Sequence, residues 1–225
     1  MTFIAQTAFA QKNAIRVCYT KQTKVPASIE QIEDISIRQL AIQKLQQQVQ
    51  AYTLYYNGNE YAFSQASFPE NGKPFTLEGN NSVYFNRQDK QKISLERILD
   101  KLFVVTDTIA RHDWEIKYDE SKEVLGKHCM KAILASDKET VAWFCDEIPV
   151  QVGPSGYDGL PGLILELETS TAVYEATDVA TASERIGISV PEKGRITSAE
   201  FKDIKEKKLK ELGASGEGGK VIILQ

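Results

Sequence analysis

The sequence predicts an α+β fold dominated by a curved antiparallel sheet, with helices flanking it. Three observations carry this. Apolar and aromatic residues alternate in short runs, turn-forming residues separate the later runs by about 8 to 12 residues, and only two stretches carry a helical start signal. With 225 residues, 42% of them hydrophobic, the chain can bury a sizeable core, and one domain over residues 11–212 is the expected organisation. The formal net charge of -4, with Lys and Arg scattered among Asp and Glu, provides no basic face for phosphates, so no nucleic-acid partner is expected. No run approaches the roughly 18 to 20 apolar residues that span a bilayer, so the chain is not expected to cross a membrane by a helix.

The chain opens on "TFIAQTAFAQK", in which Ala8-Phe9-Ala10 has the small-x-small form of a signal-peptidase site but no basic region precedes it. Residues 1–10 read as the remnant of a signal peptide, giving a mature start near Gln11. An apolar first strand is the alternative. "NAIRVCYTK" follows as a strand with Ile15, Val17 and Tyr19 on one face. Cys18 lacks the small residue that a lipid anchor needs just before it. Over residues 28–50 a helix is expected, with Ser28 and Gln31 at capping-box spacing and Ile29, Ile32, Leu40 and Val49 as an apolar stripe that Ile35, Ile37 and Ile42 blur.

"AYTLYYNGNEYAFS" sets two aromatic runs around Asn57-Gly58, the dipeptide that most readily accepts a tight hairpin turn. Residues 68–79, with two prolines and two glycines, read as a loop, and "NSVYFNRQ" as another strand. "LFVVTDT", "HDWEIKYD", "HCMKAILAS" and "TVAWFCDEIPVQVG" continue the series, and a meander is the simplest topology. In "DGLPGLIL", Leu160-Pro161-Gly162-Leu163 fits a type II turn, with proline fixing the second position and glycine supplying a positive φ at the third. That corner launches "LILELE", with Leu163, Leu165 and Leu167 on one face and Ile164, Glu166 and Glu168 on the other. Gly153 and Gly159 permit close backbone approach, and Pro154 is tolerable at a strand end or edge. Near residues 198–212 a second helix starts from the Thr197 and Glu200 capping box, with Phe201, Ile204 and Leu212 as its apolar positions. Residues 213–225 read as a flexible linker ending in an apolar segment, in which Val221, Ile222, Ile223 and Leu224 suit a strand added to a sheet edge.

The stretch from Leu102 to Leu167 resembles the GLPGLI family of the Bacteroidetes. The features run in fixed order through Trp114, Lys122, Gly126, Lys131-Ala132, Ala142-Trp143-Phe144, Ile148-Pro149, Gly153-Pro154 and the GLPGLI residues 159–164. The resemblance implies an exported protein of the periplasm or outer cell envelope, of unsettled biochemistry. Families similar to it stand beside TonB-dependent outer-membrane receptors, and their sheets resemble the curved half-barrel of lipoprotein carriers. These are analogies of fold and family.

Catalytic patterns are weak. Ser155 in "GPSGYDG" lacks the glycine-x-serine-x-glycine elbow, and a turn explains it. His112 precedes Asp113 and His128 precedes Cys129, yet two histidines without paired-ligand spacing do not make a metal site. No cofactor is implied. Glu166 and Glu168 read as a solvated strand face. If residues 129–145 form a hairpin centred on Asp137, Cys129 faces Cys145 with Cβ atoms about 4.5 Å apart, at which a disulfide is geometrically feasible. Two buried free thiols are the alternative, and Cys18 is left over, either buried or available for intermolecular pairing.

The expected function is therefore non-enzymatic: an envelope protein that binds an apolar ligand or an outer-membrane partner on the concave face of the sheet. Trp114, Trp143, Phe144 and Tyr157 are the candidate lining residues, with ordinary core as their alternative. A structural accessory of a TonB-dependent receptor is a second reading. A thiol or hydrolytic enzyme, a third, needs His128 and Cys145 to converge with another polar group.

Overall fold

The computed structural model describes residues 14–214 except 70, 71, 110, 183 and 184; the side chains of 182 and 212–214 are not described. The signal-peptide remnant at 1–10, the expected strand at 221–224 and the Leu212 side chain lie outside the described residues.

Strand β1 (Ala14–Thr23) carries the alternation expected of it, and Ile15, Val17 and Tyr19 are all buried. The expected single helix is instead two, α1 (Ala27–Glu30) and α2 (Ile35–Gln46). The break has a specific cause. Asp34 caps α2 by accepting hydrogen bonds from the backbone of Ser36 at 2.8 Å and Ile37 at 3.1 Å, whereas Ser28 lies inside α1 and caps nothing. The stripe is also displaced. Ile29 and Leu45 are the buried residues of the two helices, while Ile35, Ile37 and Leu40 are more than half exposed.

The strands continue as β2 (Val49–Tyr56), β3 (Glu60–Ser64), β4 (Phe75–Thr76), β5 (Ser82–Asn86), β6 (Gln91–Ile98), β7 (Lys101–Thr108), β8 (Trp114–Val124), β9 (Lys127–Leu134), β10 (Asp137–Cys145), β11 (Leu163–Glu168), β12 (Ala172–Ala182), β13 (Ile188–Ser189) and β14 (Arg195–Thr197). Twelve of them form one large curved sheet that does not close into a barrel, in the order β14-β7-β6-β5-β3-β2-β1-β12-β11-β10-β9-β8. This is two meanders rather than one. β1 sits between β2 and β12 and pairs antiparallel with both. At one edge β14 runs parallel to β7, and helix α3 (Ser198–Ala214) starts there, with Phe201 packed edge-on against Phe103 at 5.6 Å. The Thr197 and Glu200 box that starts α3 is formed reciprocally: the Thr197 backbone donates to Glu200 Oε2 at 2.7 Å, and the Glu200 backbone donates to Thr197 Oγ1 at 3.2 Å.

Both faces of the β2-β3-β5-β6 region are covered, which is why β2 ends in five consecutive buried residues instead of alternating. Tyr52, Leu54 and Tyr56 join the larger core on the inner face, while Tyr55 joins a smaller outer cluster with Phe75, Tyr84, Ile93 and Leu95. The outer cover is the segment expected to be a plain loop: within it β4 pairs in parallel with β13, and Phe75 is fully buried.

The inner face is filled by the chain between β10 and β11. Residues 146–162 leave the sheet, cross toward β3 and β5 and return, and the Leu160 and Leu163 side chains are buried in the larger core. The Gly162 reading needs correction, because Gly162 is not in the left-handed region and 160–163 is not a type II turn; the positive φ angles fall at Gly156 (+87°) and Gly159 (+91°). Gly162 is needed for space. A Cβ there would stand 2.1 Å from the Cys145 carbonyl oxygen and 2.8 Å from the Asp146 Cα, both backbone atoms that cannot swing aside.

The β9-β10 hairpin has the expected register by an unexpected route. Its turn is at Ala135 and Ser136, and an irregularity between Asp137 and Val141 then shifts the pairing, so that Val141 faces Ile133 and Phe144 faces Met130. Asp137 holds the irregularity, accepting from the Glu139 backbone at 3.1 Å and from Thr140 Oγ1 at 2.7 Å. One step further along this register Cys145 meets Cys129. The structure holds both as buried free thiols rather than as the bridge, and Cys18 is free and half-buried.

Because the Gly162 constraint is steric, Gly162→Ala should destabilise the fold as Gly162→Val does, by roughly 1 to 3 kcal/mol from overpacking against fixed backbone. Urea denaturation of the two variants beside the parent protein measures this, and an unchanged midpoint for Gly162→Ala contradicts it.

Candidate functional site

The strap at residues 146–162 brings together groups far apart in sequence, and Asp158 is their meeting point. Its Oδ1 lies 3.1 Å from His112 Nδ1, and its Oδ2 accepts from the Tyr61 hydroxyl at 3.2 Å and lies 4.0 Å from Arg87 Nη2. Its backbone carbonyl accepts from Trp114 Nε1 at 2.8 Å. Asp158 is 9% exposed, so these partners substitute for water around a buried carboxylate. Arg87 also donates to the Gln151 carbonyl and lies over the Tyr61 ring at 5.8 Å, tying the strap to the sheet at a second point.

Other sheet residues pin the strap and the start of β11 around this point. Tyr19 crosses the core to donate to the Ile164 carbonyl at 2.6 Å, Tyr174 hydrogen-bonds Ser155, and Tyr157 hydrogen-bonds Thr140 of the irregular β10 segment. Gly156 allows a close approach to the sheet. Its φ is +87°, and a Cβ on it would come within 2.7 Å of the Phe85 ring. Ser155 is non-glycine with a φ of 55°, a left-handed conformation held by the short 3-10 turn Pro154–Gly156. Underneath, Tyr61 stacks on Phe85 and Tyr52 on Phe63, each pair at 4.5 Å between centroids.

Beside the strap is a pocket of about 300 Å³. Val83 and Phe85 of β5 contribute apolar surface, Lys92 and Glu96 of β6 contribute charge, and Asn81, His112 and residues 155–157 complete the lining. Its volume is at the low end of the range for small-molecule sites. The lining is mixed, with an aromatic and aliphatic part and several polar groups that can orient a ligand.

The four aromatic candidates separate. Tyr157 lines the pocket, and Trp114 stands behind it at 6.2 Å, with His112 within 5.1 Å of Tyr157 and 6.3 Å of Trp114. Phe144 is fully buried core and does not line this pocket. Trp143 is half-buried away from the pocket, with the Lys122 ammonium 4.5 Å and the Lys131 ammonium 6.0 Å from its ring centre; Lys122 also pairs with Glu166. Of the two glycines expected to approach closely, Gly153 does, with a Cβ there only 2.7 Å from the Ile164 side chain, whereas Gly159 does not; Gly156 makes a further approach against Phe85, and Leu160, Leu163 and Ile164 are core.

The thiol arrangement is also corrected. His128 is exposed and pairs across the ladder with Glu123, while Cys145 is fully buried, so the two do not converge. Burial pushes the Cys129 thiol up to about 12 and raises Cys145 as well, opposite to what a nucleophilic thiolate needs. His112 has its partner in Asp158, not in adjacent Asp113, which pairs with Arg111 at 3.2 Å. Tyr61, Arg87, Lys92 and Glu96 were not singled out from sequence. Only the Asp within "GYDG" offered a signal, as a carboxylate set among turn residues, and that signal is a weak one. Among the described residues no group of three or more His, Cys, Asp or Glu side chains is placed to hold a metal ion, and no helix is long and apolar enough to cross a membrane.

The fold and site together define a β-dominated protein whose single large sheet carries an internal strap with a mixed polar pocket at its side. Residues 104–166, from β7 through the strap into β11, match a family model described as a protein of unknown function (Porph_ging). No curated protein matches the chain. A solved structure with some likeness is the crystal structure of an uncharacterized conserved protein from Thermus thermophilus, at 7% identity and a TM-score of 0.40, covering 83% of this chain and 95% of that one.

Two outcomes follow. Asp158→Ala removes the acceptor of Tyr61 and the partner of His112 and should cost about 1.5 to 3 kcal/mol in urea denaturation, with Asp158→Asn losing less because it still accepts from Tyr61. The tyrosines impose a pH limit. Burial, then the Asp158 charge, raises Tyr61 well above the ordinary 10.0, and burial brings Tyr52 and Tyr84 up to about 12. Above pH 10 the unfolded chain releases protons that the folded one keeps, so stability is full below that pH and falls as pH rises through 10 to 12. Tyrosinate absorbance near 295 nm should therefore develop late and together with loss of structure. Complete ionisation of the tyrosines in a still-folded protein contradicts it.

Proposed function

We propose that the protein is a non-enzymatic ligand-binding protein of the cell envelope, similar to the GLPGLI family, and that the pocket beside the strap is its binding site. The observation that carries this reading is the pocket itself: about 300 Å³, floored by strands β5 and β6 and walled by the strap and the His112 loop, with apolar and polar groups facing one space. The polar lining favours a small amphipathic ligand over the wholly apolar one expected from sequence. His112 and Asp158 belong to this reading as a support: the carboxylate holds the imidazole in place beside Tyr157.

The test is a thermal-shift screen of small metabolites, followed by native mass spectrometry of the protein purified from its own envelope. A true occupant at 100 times its dissociation constant should stabilise the fold by about 2.7 kcal/mol. That gain should vanish in Glu96→Trp, which places an indole in the pocket. Absence of any pocket-dependent ligand, with a receptor polypeptide co-purifying, would replace this reading by that of a receptor accessory.

A further inference from the structure

Lys92 and Glu96 carry opposite charges on the same face of β6, four residues apart, with buried Ser94 between them. Both line the pocket and both are half-buried, yet neither has an ion-pair partner among the described residues. Two other half-buried lysines of this sheet are paired, Lys122 with Glu166 and Lys131 with Glu120, while Lys21, more deeply buried, rests on the Tyr174 ring and does not line the pocket. Lys92 has the Phe85 ring 6.0 Å from its ammonium and stands across the ladder from Asp107, with which it forms no ion pair. Withdrawing a charge from water without a partner is unfavourable, and a ligand that supplies both missing partners removes that cost twice.

Resting on the pocket reading above, we infer that the ligand is a zwitterion of two or three residues' length, a short peptide with free ends. Its carboxylate lies toward Lys92 and its ammonium toward Glu96. The polarity follows from the fold. Lys92 is paired with Phe85, against which Gly156 packs, and the Ile109 backbone donates to the Lys90 carbonyl at 3.2 Å, so the chain leading to His112 leaves the sheet at the Lys92 end. Asn81 and Glu96 mark the other end, since the Asn81 backbone donates to the Leu95 carbonyl at 2.9 Å. The length follows from strand geometry. Four residues of strand separate the two backbone positions by about 13 Å, and both side chains are long enough to lean inward. A free amino acid, with its charges one residue apart, is too short to meet both, whereas two or three extended residues span about 7 to 11 Å. Between the charges, half-buried Tyr157 offers aromatic surface for a side chain beside the edge of the buried Phe85 ring, and Asn81 offers an amide for the peptide backbone.

The experiment is calorimetric titration with dialanine and trialanine, each also in N-acetylated and C-amidated form, against the parent protein, Lys92→Gln and Glu96→Gln. Circular dichroism melts confirm that the variants fold. Free peptides should bind the parent, and each substitution should weaken them about tenfold, equivalent to about 1.4 kcal/mol. The blocked peptides separate the two ends: the acetylated form should be insensitive to Glu96→Gln, and the amidated form insensitive to Lys92→Gln. Blocked peptides that bind as tightly as free ones, or substitutions without effect, overturn the inference. If the metabolite screen yields a pocket-dependent ligand while no peptide binds, the zwitterion is wrong and the binding function stands; if neither yields binding, both fall.

Discussion

The buried carboxylate of Asp158 is the interaction on which the strap depends, and with it the whole inner face. A 17-residue excursion between β10 and β11 contains too little regular structure to hold its own shape, and its backbone polar groups must be satisfied inside a core. Asp158 answers with two side-chain oxygens and a carbonyl, which meet Tyr61, His112, Arg87 and Trp114. These partners come from β3, the β5-β6 turn, the loop before β8 and β8 itself. One acidic side chain thus ties together the two meanders, at a point where the sheet alone would leave them linked through β1 and β12.

That anchoring explains the glycines and aromatic residues better than turn chemistry does. A strap inside a core must lie close to whatever it crosses, and at Gly156 and Gly162 the neighbouring Phe85 ring and Cys145 backbone leave no room for a Cβ. The sheet beneath is rich in tyrosine because tyrosine reaches across an apolar gap and still ends in a hydrogen-bonding group. Tyr19, Tyr61 and Tyr174 each spend their hydroxyl on the strap or the strand that follows it. The pocket is a by-product of this packing: the strap covers Phe85 at Gly156 but leaves the Lys92 and Glu96 side of β6 open.

What was legible in the sequence is what depends on local pattern. The alternation of β1 and the capping box of α3 both appear in the structure, because each is settled within a few residues. The β9-β10 register was reached through the wrong turn, since the Asp137 irregularity compensates for the shorter loop. β6 and β12 have no clear sequence signal although β6 buries Ile93 and Leu95, because Ser94 between them is buried too and the flanking Lys92, Glu96 and Arg97 dilute the apolar pattern. The helix at 28–50 failed where Asp34 outcompeted Ser28 as a cap. The site was the least legible part. His112 and Asp158 are 46 residues apart, and Tyr61 is 97 from Asp158, so no spacing rule connects them. Asp113, the sequence neighbour of His112, pairs with Arg111 instead, and the carboxylate that meets His112 is brought in by the strap.

The position of β1 gives the sheet a seam. Every other antiparallel neighbour in the two meanders is close in sequence, but β1 is bordered by β12, with Arg16 paired to Asp178 across 162 residues. Each half can therefore assemble from local contacts, while the join between them must wait for a loop closure spanning most of the chain. Until then β1 presents an open edge of unpaired backbone, the kind of surface that recruits other strands. During synthesis, the half of the sheet built on β1 and β2 stands incomplete until β12 has emerged, and the interval between those events is when this chain is most exposed to association with another copy of itself.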